Sequence, residues 1–216
     1  MNEDVTISTE RYGETIWPSM GMLRGFISWH FRWNHMILSN SGPANILDVG
    51  GGAGAFALVC KTTWPNCHIT VLEPSQDILP YLRHNIGHMD NVEILEFAAS
   101  NTEHTALISD PPPPIRPELG RQTLLGSGEN GSVVQCYRLD DVIDGPIDII
   151  KIDVEGHEVE CLEGAVGILD NYHPDVIVEV KAIFRGTEMD PRPMLEKMGY
   201  VLGVHLDQDF FYGYPK

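Results

Sequence analysis

Apolar positions along this chain change period several times, and each change marks an element. From Met22 to Leu38 they recur at Met22, Phe26, Trp29, Trp33 and Met36. Spacings of four and three predict one buried face of a helix, which Asn40-Ser41-Gly42-Pro43 ends. A run rich in β-formers, Asn45 to Val49, then meets Gly50, Gly51, Gly52 and Gly54 and passes into Ala55-Phe56-Ala57-Leu58-Val59. That sequence reads as strand, tight turn, helix. His68 to Leu72 predicts a second strand closed by Glu73-Pro74, Ser75 to Ile86 a helix, and Asn91 to Ala98 a third strand.

Regularity then lapses. Residues 101 to 132 hold Asp110-Pro111-Pro112-Pro113-Pro114 and Gly126-Ser127-Gly128-Glu129-Asn130-Gly131, a composition that predicts a long excursion over the surface or the substrate. Ser132 to Tyr137 predicts a short strand and Leu139 to Ile143 a short helix or turn. Pro146 to Asp153 is apolar enough for the middle of a sheet covered on both faces. A helix follows through Val159, Leu162, Val166 and Leu169, then a strand from Asp175 to Val180 and a helix from Pro191 to Met198. Tyr200 to His205 and Phe210 to Tyr214 predict a closing antiparallel pair at the sheet edge. Alternating strands and helices imply an α/β fold: a doubly wound, mostly parallel sheet of seven strands, Rossmann-like, with helices on both faces. Ligands of such sheets lie in the crevice at the carboxyl ends of the strands. Residues 1–40 form, in this reading, an N-terminal arm and helix covering the substrate, and residues 41–216 the catalytic domain with its insertion.

Charge narrows the partners. Lys plus Arg number 14 against 31 Asp plus Glu, a formal charge of −17 that repels phosphate backbones and anionic lipid heads. Neither nucleic acid nor a membrane surface is expected as a partner. The acidic start Met1-Asn2-Glu3-Asp4 lacks the plan of a signal peptide, so the expected location is cytoplasmic. Cys60, Cys67, Cys136 and Cys161 contain no C-x-x-C pair, which points to small buried side chains rather than a zinc ribbon or disulfide framework. Assembly is open, a homodimer being one arrangement.

The glycine turn satisfies G-x-G-x-x-G/A, so a dinucleotide is one candidate ligand. Asp48 before it also gives Asp-x-Gly-x-Gly-x-Gly, the shape of an S-adenosylmethionine (SAM) motif. A carboxylate there can meet the ammonium of the methionine moiety but repels a pyrophosphate. Glu73 lies about 20 residues beyond the glycines, where an acidic side chain accepts hydrogen bonds from ribose hydroxyls. Asp153 ends a strand at the crevice mouth. It can take a proton from a hydroxyl, hold a divalent cation such as magnesium with Glu179 as second ligand, or simply cap the following helix. His157 has the ordinary pKa of a general base. Glu155 can meet substrate or favour the helix N-terminus.

One stretch is more specific than the glycines. Lys151-Ile152-Asp153-Val154-Glu155-Gly156-His157-Glu158, with Glu163-Gly164-Ala165, Leu139-Asp140-Asp141, Glu73-Pro74 and the strand ending in Glu179, resembles the FkbM family of SAM-dependent methyltransferases. The resemblance runs over roughly residues 44 to 181. It implies the class I methyltransferase fold and O-methylation of a small hydroxylated natural product, or alternatively of a sugar or glycan. By the same resemblance Gly50, Gly52 and Gly54 cradle the cofactor, Glu73 holds its ribose, Asp48, Pro74, Ala98 and Ala99 complete its pocket, and Asp153 borders the transferred methyl. A SAM-binding module without catalysis is the reading from another class.

Overall fold

The computed structural model describes residues 4–24, 26–27, 42–109, 124 and 131–215. The expected helix beyond residue 27, with Trp29, Trp33 and Met36, and the proline- and glycine-rich parts of the insertion lie outside the described residues. In chain order come β1 (Val5–Thr9), β2 (Gly13–Trp17), a helical segment α1 over 20–24 and 26–27, β3 (Asn45–Val49), α2 (Ala55–Thr63), β4 (His68–Leu72) and α3 (Leu79–Ile86). They continue with β5 (Val92–Leu95), β6 (Ala98–Ala99), β7 (His104–Ile108), β8 (Ser132–Tyr137), α4 (Leu139–Val142), β9 (Ile149–Ile152) and α5 (Glu158–Glu163). Last are α6 (Val166–Tyr172), β10 (Asp175–Glu179), α7 (Arg192–Lys197), β11 (Val201–Leu206) and β12 (Asp209–Gly213).

Seven strands form the main sheet in the order β11-β12-β10-β9-β3-β4-β5. From β10 to β5 every pairing is parallel; β12 and β11 close the edge antiparallel, as the sequence predicts. β3 is the first strand laid down and is flanked by β4 on one side and β9 on the other, so the winding reverses there. A crevice opens at such a switch point. Side chains alternate across the sheet as strand geometry requires. On β3, Ile46 joins the core under α2 and α3 with Phe56, Leu58 and Leu82, while Leu47 and Val49 join the opposite core with Leu162, Leu169 and Leu195. Asp48 falls on the face of Ile46 and is fully buried.

Four expectations change. The third strand stops at Leu95, and Ala98–Ala99 leave for a small sheet of order β6-β8-β7. In that small sheet β8, Ser132–Tyr137, is the short strand the sequence predicts. The insertion begins with a strand, not a loop: His104–Ile108 pairs antiparallel with β8, because its β-forming Thr105, Leu107 and Ile108 precede the prolines that break the pattern. The helix after Asp153 is two helices, since Asp140 takes the groups that would join them: its N–H donates to the Gly164 carbonyl and its carboxylate accepts from the Gly167 and Ile168 N–H groups, all at 2.9 Å.

The N-terminal residues are not a loose arm but a hairpin, β1 against β2. Too small for a core of its own, it uses the domain's: Trp17 is 1% exposed and stacks on Phe26 at 4.7 Å. Asn85 on α3 fixes the join. Its Oδ1 accepts from the Ile16 N–H at 2.8 Å, and its Nδ2 donates to the Ile16 and Ala53 carbonyls at 2.9 and 2.8 Å. One buried amide thus ties the hairpin to the glycine turn. Asn85→Ala leaves these buried groups unpaired, and at about 1–3 kcal/mol each, with partial relaxation, chemical denaturation should show a loss of about 2–4 kcal/mol.

Candidate active site

A cleft opens at the carboxyl ends of β3, β4, β9 and β10, lined by Gly50 to Ala53, Glu73 and Pro74, Ala98 and Ala99, Asp153 to Glu155, His157 and Glu179. Ten of the residues expected in the site therefore face one space: Gly50, Gly52, Glu73, Pro74, Ala98, Ala99, Asp153, Glu155, His157 and Glu179. Asp48 and Gly54 stand behind the wall. Gly54 has φ 89° and packs on Leu82 and Ile86, and Asp48 reaches the cleft only through Lys151. Trp17, Met22 and Phe97 also line the cleft, so the hairpin and α1 supply part of its cover.

The glycines divide their work. Gly50 turns at φ 79°, and a Cβ on it would lie 2.0 Å from the Asp153 carbonyl oxygen, so glycine lets β3 and β9 touch. Gly52, at φ 53°, has, among the described residues, only the Met22 methyl within 4.0 Å of the position of a Cβ, leaving room over its backbone for a ligand. The Gly52 N–H donates to Glu73 Oε2 and the Ser75 N–H to Glu73 Oε1, both at 2.8 Å, so Glu73 shapes the turn as well as facing the cleft. Burial pushes its carboxyl up to about 7 against these two bonds.

From the sequence, Lys151 is a lysine inside an apolar strand, able to pair with a carboxylate but with no chemistry assigned. The structure makes it the central cation: its Nζ lies 3.3 Å from Asp48 Oδ1, 3.4 Å from the Gly50 carbonyl oxygen and 3.5 Å from Asp153 Oδ2. Burial opposes its charge, but Asp48 and Asp153 more than restore it, and the ammonium is held firmly protonated. Burial in turn pushes the Asp48 carboxyl up, with Lys151 pulling it partly back. At Asp153 the balance reverses. Burial would raise its carboxyl, yet Lys151, Lys181 and a hydrogen bond with Glu179 hold it below the ordinary value of 3.8. Glu179 takes the opposite shift: burial and then the charge of Asp153 push it well above the usual carboxylate range. Across one hydrogen bond the two carboxyls are thus shifted in opposite directions.

Glu155 has φ 60° and Gly156 φ 105°, a left-handed turn that swings the Glu155 carboxylate back into the cleft. Glu158 fixes that turn by accepting from the N–H groups of Val154 and Gly156 at 3.2 and 3.0 Å. Burial raises the Glu158 carboxyl to about 7. His157 lies just before α5, its Nε2 3.0 Å from Ser100 Oγ and its Nδ1 3.5 Å from Glu160. Burial lowers its pKa, so the ring is neutral at pH 7, but its Nε2 is engaged by Ser100. The arrangement offers a poised carboxylate, Asp153, across from an open glycine turn.

Residues 48–202 match the Methyltransferase FkbM domain. Hexuronic acid methyltransferase AglP of Haloferax volcanii is 27% identical over 177 residues, covering 77% of this chain and 68% of that protein. The solved FkbM methyltransferase of Methylobacillus flagellatus shares this fold at TM-score 0.58 and 16% identity, over 79% of this chain; the chain spans only 43% of that structure's length. N-methyltransferase NodS of Bradyrhizobium japonicum shares it at TM-score 0.54 and 13% identity, over 89% of this chain and 98% of that one. Two lines therefore agree, a main sheet with its cleft at the switch point and a match running from buried Asp48 into β11: the chain belongs to the FkbM methyltransferase family.

Proposed function

We propose that this chain is a SAM-dependent O-methyltransferase acting on a hydroxyl of a small molecule. The observation that carries the reading is Asp153, a carboxylate held ionised by Lys151 on the wall facing the open Gly52 turn. SAM, when bound, supplies a methyl group made electrophilic by a positive sulfonium. The residues fit it. Gly52 leaves space for a close approach, Glu73 presents a buried carboxylate to ribose hydroxyls, and Ala98 and Ala99 keep the neighbouring wall shallow. Carboxylates on β3, β9 and β10 favour a cationic ligand and disfavour the pyrophosphate of a dinucleotide.

Methyl transfer to an alcohol is an in-line displacement: the oxygen forms its bond to carbon as the carbon–sulfur bond breaks, and the hydroxyl proton leaves. Asp153 receives that proton, and the rigid β3–β9 contact keeps acceptor and methyl donor aligned, the step in which most acceleration arises. Of the two acceptor classes expected from the sequence, the hexuronic acid relative favours a sugar hydroxyl over another natural product. The hairpin and α1 serve this reading as the cover over the cleft, through Trp17 and Met22.

Calorimetry decides the cofactor: SAM and its demethylated product should bind and NAD should not, and NAD binding without SAM binding would sink the proposal. Because Glu73 loses its charge as pH falls through about 7, SAM affinity should be full at pH 8 and decline below 7, by up to about tenfold per unit if the ionised form is required. With an acceptor found by screening glycosides and free alcohols against labelled SAM, Asp153→Asn should keep SAM affinity within a few-fold and lower turnover about 10²- to 10⁴-fold. Unchanged turnover would remove Asp153 from the chemistry.

A further inference from the structure

Asp153, Glu155 and Glu179 bring carboxylate oxygens within 4.8 Å of one another at the ends of β9 and β10. Three carboxylates so close repel and require protons or positive charge to coexist. By donor type alone they match a hard divalent cation, the ion that Asp153 and Glu179 suggest in the sequence. The structure supplies a different charge. Lys181 forms ion pairs with Glu155 and, at 3.3 Å, with Glu179, and its side chain is only 12% exposed.

The chain is shaped to bring this lysine in. Lys181 lies two positions past Glu179, the last residue of β10, and its ammonium turns back onto both carboxylates. The end of the strand is held by the Val180 N–H donating to the Gln208 carbonyl at 2.7 Å. Glu155 reaches the same ammonium only through its left-handed backbone, a conformation unfavourable for a residue with a side chain and fixed by Glu158. A divalent ion among these oxygens would have to share them with the Lys181 ammonium a few ångströms away and with Lys151 on the far side of Asp153, and both repel it.

We propose that Lys181 is the resident cation of this cluster and a positioning residue for Asp153, so that a divalent ion does not fit beside it and removal of the ammonium creates a divalent-cation site. Lys181 gathers Glu155 and Glu179 at Asp153 and neutralises them, while the acceptor's proton is left to the Asp153 carboxylate itself. The role of Asp153 rests on the methyltransferase reading; the exchange of ammonium for metal does not.

The test uses the full chain, native and Lys181→Met, titrated with Mn²⁺ and followed by the electron paramagnetic resonance of the free ion. The native protein should leave Mn²⁺ free of the cluster. Lys181→Met should bind one equivalent at least about tenfold more tightly, and adding Glu179→Gln should abolish that gain. If Lys181→Met does not fold by circular dichroism, Lys181→Gln takes its place in the same titration. Native binding as tight as that of the variant, lost on Glu179→Gln, would overturn the proposal, and so would failure of a folded variant to bind. SAM calorimetry on the same samples separates the readings: loss of SAM binding with the Mn²⁺ result intact removes the methyltransferase reading and leaves this one.

Discussion

A single ammonium joins the two halves of the cleft. Lys151 is almost wholly buried, and its contacts reach Asp48 on β3, the Gly50 carbonyl and Asp153 at the end of β9. Buried ion pairs add little to stability, because desolvation offsets the attraction, but removing one partner leaves uncompensated charge. The consequence here is geometric. With Lys151 between them, and with Gly50 lacking the Cβ that would strike the Asp153 carbonyl, the glycine turn and the end of β9 touch without slack. A methyl transfer gains most from such fixed alignment.

The same clamp sorts the protons. Glu73, Glu158 and Glu179 are pushed up by burial, while Asp153, set between two lysines, is pushed down. Pairs of like groups with opposite shifts are how one site obtains both an acid and a base. Asp153 and Glu179 are such a pair, joined by a hydrogen bond and placed on adjacent parallel strands. The neutral ring of His157 is spent on Ser100, which makes it a brace for the small sheet more than a rival base.

Much of this was legible in the residues. Period and punctuation placed β3, α2, β4 and the edge pair, because each is bounded by glycine, proline or a polar cluster and each buries a repeating face. Where a neighbour across space decides the outcome, the pattern was silent. The break between α5 and α6 comes from Asp140, which takes the Gly164 carbonyl and the Gly167 and Ile168 N–H groups, and the N-terminal hairpin owes its place to Asn85, far along the chain. In the site, Glu73, Asp153 and Glu179 were readable because strand ends at a glycine turn are where ligands lie. Lys151 and Lys181 carried weaker signals: a lysine in an apolar strand demands a buried partner, and a lysine two residues past a strand-end glutamate can turn back onto it. Neither signal names the carboxylates on other strands that the sheet brings to them. Asp48 shows the converse, since the motif marks the residue while the fold assigns it to Lys151.

The state of the Asp153 carboxyl is the point on which the account turns, and ¹³C NMR titration of aspartate and glutamate carboxyls reads it directly. Asp153 should stay ionised in the native chain down past the ordinary value of 3.8, and its titration should move upward in Lys151→Met. An Asp153 that titrates above its ordinary value in the native chain, or one indifferent to the loss of Lys151, would contradict it.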